Sequence, residues 1–166
     1  MNYNGLLLTF PKELRMFLSA FVLVLSVGYL TGLLFVSQTD SVTPHGIEEN
    51  YMGNENDEEA PVMKFKKGSR EMLTIIHTHV LSMSFIFFLL GILLFLAKLP
   101  KRVKSFLLVE PFVSIIITFG GIYLMWLGVS WMKYIVVLSG VLMTLVYTTS
   151  AIIVLYQLCF HKDRIK

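Results

Sequence analysis

The chain has one cysteine in 166 residues, Cys159, close to its C-terminal end. A single thiol excludes an intramolecular disulfide and the Cys-x-x-Cys-His attachment of a c-type haem, and it reads as a small buried hydrophobe. Charge is also scarce, at 15% of residues. Four stretches, about 16–36, 72–97, 111–129 and 134–160, contain no Asp, Glu, Lys or Arg. No paired carboxylates fall within them, and the chain has no Gly-x-Ser-x-Gly elbow, Gly-rich phosphate loop or His-Glu-x-x-His helix. No nucleophile or base constellation can be assembled from it, so the chain reads as non-enzymatic.

What remains is apolar: 55% of residues are hydrophobic and the mean hydropathy is +0.72. About 20 helical residues cross roughly 30 Å of hydrocarbon, and each uncharged stretch is about that long. Lipid offers no hydrogen bonds to an open backbone, and the runs are too long and uniformly apolar for barrel strands. The expected fold is therefore all-α, a four-transmembrane-helix bundle forming one integral membrane domain over residues 1–166, with a polar outer loop at 37–71 between the first and second helices. The first run has a basic flank, as a signal peptide would, but it is about 21 residues long and lacks a small-x-small cleavage site, so it reads as a retained anchor.

The basic residues set the expected orientation. Lys12 and Arg15 precede the first span, Lys98, Lys101, Arg102 and Lys104 fill the second connection, and Lys162, Arg164 and Lys166 close the chain. Cytoplasmic segments carry the excess of Lys and Arg, which places both termini in the cytoplasm of a multi-pass protein of a bacterial inner membrane. The loop is acidic in its first part (Asp40, Glu48, Glu49, Glu55, Asp57, Glu58, Glu59) and basic in its second (Lys64, Lys66, Lys67, Arg70). It lies on the extracytoplasmic side in this reading, as a solvated surface or as a docking or metal-gathering loop. The formal charge of +3 follows from this topology and implies no nucleic-acid partner.

Chemistry concentrates at the start of the second span, where His77 and His79 are two of only four histidines. At about 100° per residue, His77, Leu81, Ser84, Phe88 and Gly91 share a stripe of small and polar character, expected to face the bundle. His79 points about 200° away, so one regular helix cannot offer both imidazoles to one metal ion. Imidazole suits iron and copper, and bundle cores house such sites. The candidate cofactor ligands are His77, His79 and His45 for haem b, and His77, His79 and Met125 for copper, with Met52, Met63 and Met132 at the same outer level. No histidine lies in the outer half of the first, third or fourth span. The alternative is a non-catalytic membrane subunit or assembly factor with no cofactor, docking an extracytoplasmic redox protein or membrane complex through its loop.

Packing signals accompany the spans. Gly28 and Gly32 lie four apart, and Ser114, Thr118, Gly121, Met125 and Gly128 form one small-residue stripe, with Gly140, Thr144, Tyr147 and Ala151 forming another. Small residues let membrane helices approach closely, so these stripes are expected to form the bundle seam. Glu110-Pro111 is expected to open the third span, with proline at the first helical position and the carboxylate at the positive dipole end. Ser69 suits the N-cap of the second span, and Trp126 and Trp131 suit an interfacial belt.

The chain resembles a family of small bacterial four-span membrane proteins. The resemblance runs through Gly28-Tyr29-Leu30, Pro44-His45, Tyr51-x-Gly53, His77-x-His79, Ser84 to Gly91 and Ser139-Gly140-Val141-Leu142-Met143. Longer relatives enlarge the outer loop with a cytochrome-c-like segment, and the resemblance thereby implies a place in extracytoplasmic electron transfer. This chain has no Cys-x-x-Cys-His, which removes the covalent haem.

Overall fold

A computed structural model describes residues 3–55 and 62–160. A 3-10 turn, Leu6–Thr9, precedes five helices: α1 Lys12–Gln38, α2 Pro44–Met52, α3 Ser69–Leu96, α4 Lys101–Trp126 and α5 Met132–Cys159. The described residues contain no strand. α1, α3, α4 and α5 are each long and apolar enough to cross a membrane, and their 26 to 28 residues correspond to about 40 Å, so their ends pass beyond the hydrocarbon layer. The all-α, four-span architecture expected from the uncharged runs is the one observed.

The antiparallel pair α4 and α5 forms the centre, α3 packs against both, and α1 leans on α5. Half of the most apolar stretch of α4 is buried inside the protein, against 11% of that of α1, which makes α1 the peripheral helix. The α4 seam follows its small residues: Ser114, Thr118, Gly121 and Met125 are buried, and Thr118 and Ser139 hydrogen-bond across to α5 at 2.7 Å. A Cβ added at Gly121 would lie 2.8 Å from Val136 Cγ2, so the missing side chain sets the helix separation there. Gly28, Gly32 and Gly140 have no neighbour within 4 Å of such a position, so the seam expected at those glycines is not formed.

Aromatic rings fill the middle of the bundle instead. Tyr29 of α1 stacks on Tyr147 of α5 with centroids 3.7 Å apart, and Phe87 of α3 meets both edge-on at 6.3 and 5.8 Å. The hydroxyls are satisfied locally, Tyr29 donating to Thr144 Oγ1 and Tyr147 to Ser26 Oγ, both at 3.3 Å. Ring area takes the place of close backbone approach where α1, α3 and α5 meet.

Helix boundaries depart from the uncharged runs where charged residues sit in terminal turns. α4 begins at Lys101, so Pro111 lies inside the helix and Glu110 is no terminus device. The basic turns that obscure this start are accommodated at the helix end: Lys104 Nζ donates to the Phe95 carbonyl at 2.7 Å and to Asn4 Oδ1 at 2.8 Å. Gly68, not Ser69, caps α3, without a side-chain bond. At the end of the bundle holding the chain termini, Arg15 donates twice to the Leu158 carbonyl, at 2.8 and 2.6 Å. Gln157 there exchanges hydrogen bonds with the Lys98 backbone at 2.8 and 3.1 Å.

Candidate functional site

The opposite end of the bundle is covered by the connection between α1 and α3, which folds as a cap and is more than a solvated loop. The helix it contains, α2, begins where local chemistry favours it. Thr43 Oγ1 accepts from the Gly46 N–H at 3.0 Å, Pro44 occupies the first turn, and proline costs nothing there because its missing N–H has no helical partner. α2 packs closely on the turn after α1: a Cβ at Gly46 would lie 1.8 Å from the Asp40 carbonyl oxygen. Ile47 is buried beneath it. Burial raises the phenol pKa of half-buried Tyr51 above the ordinary tyrosine value.

After α2 the chain returns on itself. Asn54 N–H donates to the Lys64 carbonyl at 2.9 Å and Lys67 N–H to the Tyr51 carbonyl at 3.1 Å. The Asn54 side chain reinforces the return, accepting from Lys64 N–H at 2.6 Å and donating to the Val62 carbonyl at 3.0 Å. The bundle grips this structure from below. Trp126 Nε1 at the end of α4 donates to the Lys67 carbonyl at 2.8 Å, the Lys66 ammonium lies 5.3 Å from the same indole ring, and Lys133 of α5 pairs with Glu48.

Along α2 and the turn that follows it lies a cleft of about 320 Å³, lined by His45, Glu48, Glu49, Met52, Asn54 and Glu55 among others. Its charges are partly compensated: Glu49 meets His45 Nε2 at 3.1 Å and Lys64 Nζ at 3.7 Å, and Glu55 accepts from the Lys66 N–H at 3.3 Å. The sequence continues from Glu55 into Asp57, Glu58 and Glu59, which lie outside the described residues. With Glu48 paired to Lys133 and Glu49 to Lys64, Glu55 is the cleft carboxylate that meets no cationic side chain among the described residues. The pair Thr43-Pro44 carries a helix-start signal, and it places Glu48, Glu49 and His45 on one short helix of the loop expected to be a solvated, docking or metal-gathering surface.

The four candidate ligands have separate surroundings. His45 is on α2, paired with Glu49. His77 is exposed. His79 is exposed too, but its Nδ1 lies 2.7 Å from the Ile75 carbonyl and its ring packs on Phe119 of α4 at 5.2 Å. Met125 is completely buried in the core. The expectation that His77 faces inward is thus not met, and His79, though also exposed, is the one of the two whose ring meets a neighbouring helix. The inward stripe of α3 runs through Met72, Ile76, Met83, Phe87, Leu90 and Leu94, because large apolar side chains make the interhelical contacts while the His77, Leu81 and Phe88 side stays exposed. Among the described residues no three His, Cys, Asp or Glu side chains are grouped to hold a metal ion.

No curated protein and no solved structure matches the chain. A family model described as a transmembrane helical domain (Aq_1264_TM) matches residues 41–165, a region that starts after α1 and takes in the cap and the α3–α5 spans. Three-quarters of the chain is covered by that match, and the protein belongs to this family of transmembrane helical domains.

Proposed function

We propose that the protein is a non-catalytic membrane subunit that docks an extracytoplasmic partner through the acidic cleft of its cap. The reading rests on the preorganisation of that cap: the bundle fixes the segment through Trp126, Lys66 and Lys133 while leaving a cleft of carboxylates open above it. Segments ordered before binding lose less entropy on association, which is the physical advantage of such a scaffold. The basic residues at the opposite end, Lys12, Arg15, Lys98, Lys101, Arg102 and Lys104, support a topology with that end in the cytoplasm and the cap outside. The partner presents lysine or arginine to Glu49 and Glu55, and the complex weakens with salt.

The experiment is photocrosslinking in intact cells from a photoreactive residue at Met52, compared in the wild-type background and in Glu49→Lys and Glu55→Lys variants. One discrete crosslinked product, lost in both charge reversals and reduced at raised ionic strength in membranes, is expected. A product indifferent to both substitutions refutes the docking cleft. The electron-transfer reading, with haem b or copper held through His77, His79, His45 or Met125, is checked on the same purified protein. A Soret band or bound copper that disappears in His77→Ala would replace the docking reading with it.

A further inference from the structure

A second feature lies within the membrane, far from the cap. Glu110 is buried inside α4. One carboxyl oxygen, Oε1, is bonded by the Ser114 hydroxyl one turn on; the other, Oε2, is buried with no partner among the described residues. An unsatisfied carboxyl oxygen in hydrocarbon is costly, and ionisable groups at such depths mark functional sites by default. Glu110 lines a groove of about 840 Å³ between α4 and α5. The groove follows α4 from Arg102 to Ile117, fifteen residues or about 22 Å of helix. Apart from the polar groups at Arg102, Glu110 and the serines, its walls are aliphatic or aromatic, with Phe106, Val113 and Leu142 among them.

We infer that this groove binds a lipid-soluble quinone or its quinol, with the head against Glu110 and the tail along α4. Three observations select that chemistry. Glu110 lies nine residues from Lys101, about 14 Å along the helix and inside the hydrocarbon layer, a depth that charged lipid headgroups do not reach. The head must therefore be neutral. The free oxygen accepts a hydrogen bond when the carboxyl is ionised and donates one when it is protonated. A quinol hydroxyl and a quinone carbonyl answer these two states in turn. The length and apolar walls of the groove suit a long unbranched or isoprenoid tail, and the Phe106 ring offers a flat apolar face to a planar ring head.

The test uses the full chain in phosphatidylcholine nanodiscs, photolabelled with an azidoquinone bearing a decyl tail and mapped by mass spectrometry. Labelling is expected within 102–117 and 135–142, displaced by decylubiquinone but not by equal concentrations of dodecanol or oleate. Glu110→Leu, which removes the carboxyl, and Val113→Trp, which fills the groove and leaves the carboxyl in place, are each expected to lower labelling about tenfold or more. Val24→Trp, on the exposed face of α1 and outside the groove, should not. Glu110→Leu removes the unpartnered Oε2 together with the acceptor of the Ser114 hydroxyl, so its thermal midpoint is measured beside the labelling, and labelling lost at an unchanged midpoint cannot be put down to unfolding. Displacement by dodecanol or oleate would show that an alkyl chain alone occupies the groove and overturns the inference. Labelling outside these helices, or labelling unchanged in both variants, overturns it as well. The competition pattern on the unaltered chain decides the matter whether or not the variants fold.

Discussion

At the scale of single residues, two glycines act through the space a side chain would take. A methyl group at Gly46 would overlap the Asp40 carbonyl, and backbone at that distance cannot move aside without unseating α2. Gly46→Ala is therefore expected to expose the amides of α2 to hydrogen exchange while those of α4 and α5 stay protected, whereas Gly68→Ala, with nothing within 4 Å, leaves both unchanged. At Gly121 the near neighbours are the ends of Val136 and Met132, so overpacking by Gly121→Leu should cost about 1–3 kcal/mol. Thermal unfolding in detergent, set against Gly140→Leu in open space, measures the difference, and equal midpoints would remove Gly121 from the seam. Tyr51 adds a pH signature. Its phenol pKa is raised by burial, so the folded cap keeps the neutral form while the unfolded chain ionises near pH 10. Cap stability is complete below that pH and falls as pH rises from there through the higher folded value. Tyr51→Phe should flatten the alkaline loss of exchange protection in α2.

Among the elements, α2 depends most on local chemistry. It has only nine residues, below the length at which isolated helices persist in water, so its cap and its contacts with the bundle hold it together. Thr43→Ala removes the acceptor for Gly46 N–H and should cost about 0.5–2 kcal/mol, read as faster exchange in α2, with the spans unaffected. The long helices were legible in the sequence because hydrophobic runs of that length have one solution in lipid. The start of α4 was not. Lys101, Arg102, Lys104 and Glu110 depress the hydropathy of its first turns, and a proline at 111 resembles a helix opening until Lys104 is seen reaching back to the Phe95 carbonyl. The face of α3 was misread for a related reason. Small and polar residues do mark the α4 seam, but α3 packs through Phe87, Leu90 and Leu94, so polarity alone chose the wrong stripe. Of the candidate site, the sequence disclosed the acids and histidines of the cap, but the cleft arises from a return of the chain fixed by Asn54 and Trp126, pairings that leave no periodic signal.

At the scale of the whole molecule, the two ends of the bundle are chemically different. One gathers the start of α1, the end of α5 and the α3–α4 connection, with Arg15, Gln157 and Lys104 holding backbone carbonyls. The other carries the cap, with Glu48 and Glu49 offset by Lys133 and Lys64. Lys133 and Lys64 are bound in ion pairs at the cap end, whereas Lys98, Lys101 and Arg102 at the other end are exposed. Free positive charge resists transfer across a membrane more strongly than paired charge, and this asymmetry is the ground on which the proposed topology puts the cap outside. In a Cys159→Ser background, a cysteine at exposed Ser130 in the α4–α5 turn is expected to react with a membrane-impermeant maleimide added to whole cells. One at exposed Lys101 should react only after the cytoplasm is opened. The reverse pattern would put the acidic cleft in the cytoplasm, where no extracytoplasmic partner could reach it, and the docking proposal would fail with the topology. The groove at Glu110, which opens to lipid within the membrane, would be left standing by that result.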